Sequence, residues 1–401
     1  MTLNSNSALF KLSGLAYILK IILYFVSFLP KSPPLWLFSI PAGGRLEGNL
    51  RAVVHQLYSQ DSIVPVVIYS HKLSVEEKKL KEIYPNIKLY HRDSWLGMKS
   101  MLSCSAVFIT HGNSLYKQHY SLVRGYALIN LWHGVPLKGI GNLGVGYSEK
   151  NRNKDIRRST EIGLFVSSSP TDRSVMAGSI LLSRDQFMIT GLPRVDFLLS
   201  AENDLPDDLK DSLEWVKSVK ASRKLFLYAP TCRDDLSYPL GLDTKDVALI
   251  DEYLGDAGQV LAIRPHPNES DAYDALLDGC QHIISMSGVR VPEVNLLLRE
   301  VDVLITDYSS LWLEFLLMDR PIIFYTYNLK DYARERGMLH EYEAIAAGAM
   351  CSTPLELLDA IQKVEVEEYS SKRAFVRDLY FSYKDSANSQ RVIERVSQYI
   401  G

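Results

Sequence analysis

Short apolar runs alternate with polar stretches of helical length along most of the chain. The runs are rich in β-branched and aromatic residues, as is typical of strands buried in a parallel sheet. In the first half they lie at residues 35–40, 64–70, 87–90, 106–110, 127–132 and 164–168. In the second half they lie at residues 224–228, 260–263, 282–285, 303–306 and 322–325. The polar stretches between them, such as residues 74–83, suit crossover helices, so the pattern predicts an α/β fold.

The gap between the two series of strands predicts a domain boundary. Residues 199–213 are acidic, lack a strand pattern and contain Pro206, which suits a linker between two doubly wound, Rossmann-like units. Residues 369–400 have no strand pattern and are compatible with packing on either unit. The predicted segments are an N-terminal segment, two Rossmann-like domains and a helical tail, at residues 1–33, 34–205, 206–370 and 371–401. Ligands of open α/β sheets bind beyond the carboxyl ends of the strands, so a cleft between the two domains is the predicted site.

The N-terminal segment is the most apolar part of the chain. Residues 8–30 read ALFKLSGLAYILKIILYFVSFLP, and their only charged residues are Lys11 and Lys20. No small-residue cleavage site follows, which argues against a signal peptide. The run is slightly short for a transmembrane helix. Its lysines favour an amphipathic helix lying in the membrane interface, with a membrane span and a buried helix as the alternatives.

Charge and cysteine content narrow the class of protein. The 401 residues carry a formal net charge of −3, so no global basic surface indicates nucleic-acid binding. The four cysteines are widely scattered, which disfavours a disulfide framework or a zinc site and suits a reducing compartment. Phosphate-loop, dinucleotide-binding and zinc-hydrolase signatures are absent from the sequence.

Two polar motifs follow predicted strands in different halves of the chain. In NLWHGVPLK (130–138), His133 emerges after a buried strand, where a near-neutral imidazole suits proton abstraction from a hydroxyl. Lys138 of the same motif is a candidate phosphate contact. In YAPTCRDD (228–235), Thr231 and Arg233 together suit phosphate oxygens. The alternatives are a histidine that only stabilises its turn and an arginine that is merely exposed.

Two further motifs lie in the second half. In IRPHP (263–267), flanking prolines fix the backbone around His266, which suits a contact with a diphosphate or a leaving group; a packed loop histidine is the alternative. In ITDYSS (305–310), Ser309 or Ser310 is predicted to cap an apolar helix and to form a phosphate site. Asp307 is predicted to orient those hydroxyls or to bind elsewhere in the cleft. Glu314, one turn into the helix, is a candidate ribose contact, or else a surface residue.

A basic segment follows the first motif. It is either a solvated surface or a contact for anionic lipid or a pyrophosphate-linked acceptor, and it contains Lys150, Arg152, Lys154, Arg157 and Arg158.

Taken together, the motifs resemble those of the CDP-glycerol glycerophosphotransferase family, the teichoic-acid primases and polymerases. The resemblance runs through residues 106–343 and includes TGLPRVD (190–196), RPIIFYTYNL (320–329) and the four motifs above. Two residues depart from the family pattern: Val135 stands where threonine is common, and Cys232 where tryptophan is common. Neither departure removes a proposed chemical group.

The resemblance implies a GT-B-like fold with the active site between its two halves. The second half would bind the CDP-linked donor through Thr231, Arg233, Arg264, His266, Asp307, Ser309, Ser310 and Glu314. The first half would face the acceptor, with His133 as general base and with Lys138 and Arg194 nearby. His266 would act with His133 in catalysis. The resemblance also implies peripheral attachment to the cytoplasmic face of the membrane through the amphipathic N-terminal segment.

The expected reaction is transfer of glycerol phosphate, or a related polyol phosphate, from CDP-glycerol or CDP-ribitol to a hydroxyl of a lipid-linked saccharide or polymer, with release of CMP. The chain length favours a primase; a polymerase of the same family is an alternative. The sequence is also compatible with a GT-B glycosyltransferase that uses a nucleotide sugar and with a non-catalytic binding protein. It requires no cofactor; Mg²⁺ chelated by the donor diphosphate is compatible with it but not indicated. It predicts no nucleic-acid partner and leaves the oligomeric state open.

Overall fold

The computed structural model describes residues 31–41, 44–58, 60, 63–70, 74–111, 125–231, 240–265, 273 and 275–401, without the side chains of residues 33 and 74–77. The predicted amphipathic helix at residues 8–30 lies outside the described residues, and so do Arg233 and His266. Within the described part, no helix has the length and apolarity to cross a membrane.

The first half of the chain forms a seven-stranded sheet in which every neighbouring pair is parallel. Its strand order is β3-β2-β1-β4-β5-β6-β7. This order is doubly wound, with its reversal point between β1 and β4. The strands are β1 (Ser32–Ser39), β2 (Val64–Tyr69), β3 (Lys88–His91), β4 (Cys104–Ile109), β5 (Ala127–Asn130), β6 (Leu164–Ser167) and β7 (Phe187–Ile189).

The second half repeats this architecture with six parallel strands. Its order is β10-β9-β8-β11-β12-β13, so the reversal point lies between β8 and β11. The strands are β8 (Leu225–Ala229), β9 (Val260–Ile263), β10 (Ile283–Ser285), β11 (Val303–Thr306), β12 (Ile322–Tyr325) and β13 (Ala349–Cys351). The predicted α/β fold with two doubly wound sheets is confirmed. Every predicted run coincides with a strand to within a few residues, whereas β7 and β13 were not predicted.

Helices connect the strands. Within the described ranges, the first eight in chain order are α1 (Gly48–Tyr58), α2 (Ser74–Ile83), α3 (Trp95–Ser103), α4 (Glu149–Ser159), α5 (Pro170–Ile180), α6 (Asp196–Leu199), α7 (Asp207–Lys220) and α8 (Thr244–Asp256). The others are α9 (Val294–Leu298), α10 (Leu311–Phe315), α11 (Leu329–Arg336), α12 (Tyr342–Ile345), α13 (Pro354–Lys363), α14 (Ser370–Tyr380) and α15 (Asn388–Ile400).

The predicted linker at residues 199–213 contains the start of a helix. Helix α7 begins at Asp207, and its first turn carries two acidic side chains, which the positive end of the helix dipole favours. Leu209, Leu213 and Val216 are buried on one face at helical spacing. This apolar face explains why an acidic stretch without strand character becomes a packed helix.

The final helices return to the first half of the chain. Helix α15 packs against α1, β4 and the 3₁₀ turn Pro193–Val195. Asp196 accepts hydrogen bonds from the backbone N–H groups of Asn388 and Ser389 at 2.9 and 2.7 Å. A carboxylate at a helix N-terminus is stabilised by these donors and by the helix dipole. One large apolar core includes side chains from both sheets.

Candidate active site

Most of the predicted site residues lie beyond the carboxyl ends of parallel strands. In the first sheet, His133 follows β5. In the second sheet, Thr231 follows β8, Arg264 follows β9, and Asp307 follows β11. Thr231 and Asp307 therefore flank the reversal point of their sheet, where open α/β sheets bind ligands.

The imidazole of His133 is held by the end of the neighbouring strand. Its Nδ1 lies 3.0 Å from the carbonyl oxygen of Thr110, which follows β4. A carbonyl oxygen only accepts hydrogen bonds, so Nδ1 carries the proton and the lone pair of the neutral ring lies on Nε2. His133 therefore presents a basic nitrogen that this hydrogen bond does not use.

A second histidine stacks on His133. The rings of His111 and His133 are parallel, with centroids 4.3 Å apart and an interplanar angle of 4°. The Trp132 ring covers another part of His133 at 4.2 Å. Although His133 is exposed to the cleft, its partial burial lowers its pKa to about 4, against the hydrogen bond to Thr110, which raises the pKa. The charge of Arg194 also lowers the pKa of His133, as does that of His111 when its ring is protonated. The ring is therefore held in the neutral form that a general base requires.

The two halves of the chain meet beside His133. Gly134 has a φ of +142°, and a Cβ placed on it would lie 2.9 Å from Nη2 of Arg194 and 3.6 Å from Oγ of Ser310. A Cβ at this position would displace the Arg194 guanidinium but only touch the Ser310 hydroxyl, and its backbone would have to adopt a φ that favours glycine. The proposed base on the first half and the serine turn on the second half are thus brought together.

The turn after β11 is organised by Asp307. This carboxylate is fully buried, and its Oδ1 accepts hydrogen bonds from the backbone and hydroxyl of Thr231, both at 2.8 Å. The same oxygen accepts from the backbone N–H groups of Tyr308 and Ser309 at 2.6 and 3.3 Å. Asp307 therefore joins the loops after β8 and β11. It was predicted to orient the serine hydroxyls or to bind elsewhere in the cleft; its observed partners include Thr231 and the backbone of the turn.

The serine turn differs from the expected helix cap. Ser310 precedes α10, but its side chain makes no capping hydrogen bond, and its backbone is already helical, with φ −71° and ψ −2°. The predicted cap by Ser310 is therefore wrong. Ser309 and Ser310 are half-buried. The Ser310 hydroxyl instead approaches Gly134 across the boundary between the halves.

Arg194 and Glu314 form a buried ion pair between the halves. Nε of Arg194 donates to Oε1 of Glu314 at 2.9 Å, and Nη2 donates to the same oxygen. The second carboxylate oxygen accepts from Nδ2 of Asn295 at 2.7 Å. Only 1% of the Glu314 side chain and 17% of the Arg194 side chain are exposed. These contacts favour a structural role for Glu314; its ribose contact stays a prediction.

Lys138 also contacts the opposite half. Its Nζ donates to the hydroxyl of Tyr332 at 2.8 Å, and its backbone pairs with Met338 in an isolated antiparallel bridge. The Tyr332 ring stacks on Tyr308 with centroids 4.0 Å apart. Lys138 is therefore oriented toward the Asp307 turn, and its predicted phosphate contact stays a prediction.

Arg264 is anchored through one nitrogen. Nη1 donates to the carbonyl oxygens of Met286 and Val291 at 3.0 and 2.5 Å. Burial lowers the pKa of Arg264 to about 10, which leaves the guanidinium charged at neutral pH. The predicted donor contacts of Arg233 and His266 lie outside the described residues.

Three residues of this site were not predicted. His111 stacks on the proposed base, and Asn49 donates from Nδ2 to the carbonyl oxygens of Leu131 and Trp132. Glu293 of the second half accepts a hydrogen bond from the backbone N–H of Gly48. Of the three, Asn49 has a signal in the sequence, because it ends the glycine-containing segment IPAGGRLEGN (40–49) that directly follows the first predicted strand.

No group of three or more histidine, cysteine, aspartate or glutamate side chains suited to a metal ion occurs among the described residues. That no cofactor is required stays a prediction, and Mg²⁺ chelated by the donor diphosphate remains compatible with the sequence but not indicated.

Comparison with known proteins identifies the family. A model described as CDP-Glycerol:Poly(glycerophosphate) glycerophosphotransferase matches residues 21–398. The teichoic acid glycerol-phosphate primase of Bacillus spizizenii is 26% identical over 341 residues, covering 80% of this chain and 84% of the relative. The teichoic acid poly(glycerol phosphate) polymerase of the same organism is 23% identical over 403 residues, covering 96% of this chain and 97% of the relative.

The fold is similar to that of a solved wall teichoic acid polymerase, TagF. The TM-score is 0.76 at 19% identity, covering 100% of this chain and 99% of that structure. This similarity confirms the predicted GT-B-like arrangement of two Rossmann-like sheets. Because the family model spans most of the sequence, the chain belongs to the CDP-glycerol:poly(glycerophosphate) glycerophosphotransferase family.

Proposed function

We propose that this chain transfers glycerol phosphate from CDP-glycerol to a hydroxyl of a lipid-linked saccharide or polymer and releases CMP. Family membership supports the reaction class and the donor. CDP-ribitol is the alternative donor. The observation that carries the proposal is the approach of Ser310 to Gly134, because it brings the turn after β11 to the residue next to His133.

In this proposal His133 is the general base. Nε2 takes the proton of the acceptor hydroxyl while the hydroxyl oxygen attacks the β-phosphorus of the donor. The bond from that phosphorus to the bridging oxygen breaks, and CMP leaves with the bond electrons. The products are CMP and a new phosphodiester between the acceptor and glycerol. Such transfers depend mostly on positioning and on stabilisation of charge.

The donor would lie beyond β8, β9 and β11. Thr231, Arg264, Ser309 and Ser310 supply hydroxyl, guanidinium and backbone donors there, and such donors suit diphosphate oxygens. Asp307 would keep the loops after β8 and β11 in place. Arg233 and His266 are proposed to complete this side as further contacts of the diphosphate.

The experiment is CMP release by the purified protein from CDP-glycerol and CDP-ribitol in parallel, with and without lipid-linked saccharide acceptors. Acceptor-dependent CMP from either donor supports the proposal. Consumption of a nucleotide sugar in its place would support the glycosyltransferase alternative. Binding without turnover across this donor panel would support the non-catalytic alternative.

The role of His133 is tested in the same assay. His133→Ala should lower kcat by about 10²–10⁴-fold, the usual contribution of a general base. His282→Ala is the matched control. His282 directly precedes β10, an edge strand of the second sheet, so it lies at the amino end of that strand and away from the site, where it packs near Gly255. Near-normal turnover of folded His133→Ala would remove the assignment.

Product length separates a primase from a polymerase. The matched polymerase relative is covered over 97% of its length, so chain length alone does not distinguish the two activities. We keep the primase as the proposal. Mass spectrometry of the product would support it if one or a few units are added, and long chains would support the polymerase.

We also propose that the protein attaches peripherally to the cytoplasmic face of the membrane. Helix α4 exposes a group of basic side chains, Lys150, Arg152, Lys154, Arg157 and Arg158. Nearby, Leu143, Val145 and Ile156 are 44%, 61% and 46% exposed. Basic side chains beside exposed apolar ones suit the surface of an anionic bilayer.

Vesicle co-sedimentation tests this attachment. The double variant Lys154→Glu/Arg157→Glu should bind phosphatidylglycerol vesicles at least about tenfold more weakly, since each basic residue near such a surface contributes about 1 kcal/mol. Lys78→Glu/Lys79→Glu on the exposed part of α2 is the control. Equal binding by both double variants would contradict a role for α4.

A further inference from the structure

The first turn of helix α1 lies beneath the end of strand β5. Asn49, in this turn, is 2% exposed. Its Nδ2 donates to the carbonyl oxygens of Leu131 and Trp132, both at 2.9 Å, and its Oδ1 accepts from the backbone N–H of Arg194 at 2.9 Å. Both amide hydrogens and the carbonyl oxygen are therefore used, and each contact is with backbone.

These contacts fix the backbone that leads into His133. Trp132 has a φ of +53°, a conformation that is unfavourable for a residue with a Cβ. Its N–H donates to Oδ1 of Asn130 at 2.9 Å, and its carbonyl oxygen accepts from Asn49. With both peptide groups of Trp132 held, the direction in which the His133 side chain leaves the backbone is set.

The same turn also contacts the donor side of the cleft. The backbone N–H of Gly48 donates to the two carboxylate oxygens of Glu293 at 2.9 and 3.1 Å. Arg194, whose backbone binds Asn49, pairs through its guanidinium with Glu314 on α10, directly after the serine turn. Residues 48 and 49 thus connect the His133 backbone with two acidic residues of the second half.

We propose that Asn49 is a positioning residue of the transfer reaction, which holds His133 in alignment with the Ser310 turn. This inference rests on the proposed function, because it assigns His133 the role of base. Asn49 itself would not touch the substrate. Its loss would leave the donor site intact and misplace the base, and a displacement of about 1 Å in such a group is enough to lower the rate about 10²-fold.

The test variant is Asn49→Asp, which keeps the shape of the side chain but places one carboxylate oxygen against the carbonyl oxygens of Leu131 and Trp132. Gln186 offers a matched control. Its Nε2 donates to the carbonyl oxygens of Ser159 and Ile162 at 2.8 and 2.5 Å, and its Oε1 accepts from the backbone N–H of Ser183. Gln186 precedes β7 at the amino ends of the strands, away from the cleft. Gln186→Glu therefore makes the same chemical change elsewhere in the sheet.

We expect Asn49→Asp to lower kcat for CMP release about 10–100-fold while the KM for CDP-glycerol changes less than about threefold. Gln186→Glu should keep kcat within about twofold of the unaltered protein, even if it lowers the Tm as much as Asn49→Asp does. Equal losses of kcat in the two variants would overturn the inference, and so would a change confined to KM. If Asn49→Asp does not fold, Asn49→Ala replaces it, because it buries no charge.

A second measurement does not depend on turnover. The ¹⁵N ring signals of His133, assigned by their absence in His133→Ala, report which ring nitrogen carries the proton. They should shift in Asn49→Asp and stay unchanged in Gln186→Glu. Unchanged His133 signals in Asn49→Asp would overturn the inference, whether or not the unaltered protein releases CMP. A lack of CMP release by the unaltered protein would instead count against the proposed function.

Discussion

The pH dependence of CMP release depends directly on the ionisation of His133. A general base acts only when it is neutral, and burial against His111 and Trp132 lowers the pKa of His133 to about 4. At pH 5.5 an imidazole with the ordinary pKa of about 6.5 would be about 9% neutral, whereas one with a pKa of about 4 would be about 97% neutral. The lowered pKa therefore predicts about tenfold more activity at pH 5.5 than an ordinary histidine would give. Because the ring is partly exposed to solvent, we expect the midpoint of the acid limb between these two limits, below pH 6.

The assay measures kcat/KM for CDP-glycerol from pH 4.5 to 8.5 at constant ionic strength, because this ratio reports the ionisation of the free enzyme. Return of each sample to pH 7.5 checks that lost activity is recovered. His111→Gln removes a ring that is positively charged when protonated, and it opens one side of the His133 ring to water. Both changes raise the pKa of His133. Its acid limb should therefore move to higher pH, while that of His282→Gln should not. A limb of the unaltered protein centred at or above pH 6.5 would refute the reasoning.

Two other predictions concern stability. Glu314→Gln removes the negative partner of the buried Arg194 and should lower the free energy of unfolding by about 3–5 kcal/mol in urea titrations. Asp359→Asn, which breaks an exposed pair with Lys363, should change it by less than about 1 kcal/mol, and equal effects would contradict the difference in burial. Burial raises the pKa of Asp172 to about 6, so the folded state binds the proton more tightly than the unfolded state, and this stabilisation is lost as the pH rises through 6. Asp172 should therefore make the protein about 1.4 kcal/mol more stable at pH 5 than at pH 7.5, and Asp172→Asn should remove that part of the dependence; an unchanged pH dependence in the variant would contradict this assignment.

The sheets could be predicted because buried parallel strands leave continuous apolar runs in the sequence. Strands β7 (Phe187–Ile189) and β13 (Ala349–Cys351) have only three residues each and were missed, although the equally short β10 was predicted, so runs of this length are found unreliably. Strand β5 was predicted to continue to Trp132 but ends at Asn130, because the apolar character of Leu131 and Trp132 does not reveal the positive φ at Trp132. The local pattern of apolar residues therefore predicts where most strands lie, but it does not predict at which residue each strand ends.

The site could be predicted where a polar residue follows a strand, as His133, Thr231 and Asp307 do. The contacts between the two halves of the chain could not be predicted from the sequence. Gly48 and Glu293 are 245 residues apart, and no periodicity links them. Ser309 or Ser310 was expected to cap α10, yet Ser310 makes no side-chain cap because its backbone is already helical, and the N–H of Leu313 donates to its carbonyl oxygen. Such pairings depend on how the two sheets pack, which a local pattern does not contain.

The return of helix α15 to the first sheet has a consequence for synthesis on the ribosome. Asp196 is made early, but the N–H groups that it binds, at Asn388 and Ser389, emerge almost two hundred residues later. Until then the apolar surface of α1 that α15 covers is open to solvent, even though the strands of the first sheet have been made. The first half therefore cannot complete its folding as an independent unit during translation, and chaperone contact with nascent chains should persist until residues 388–400 have left the exit tunnel.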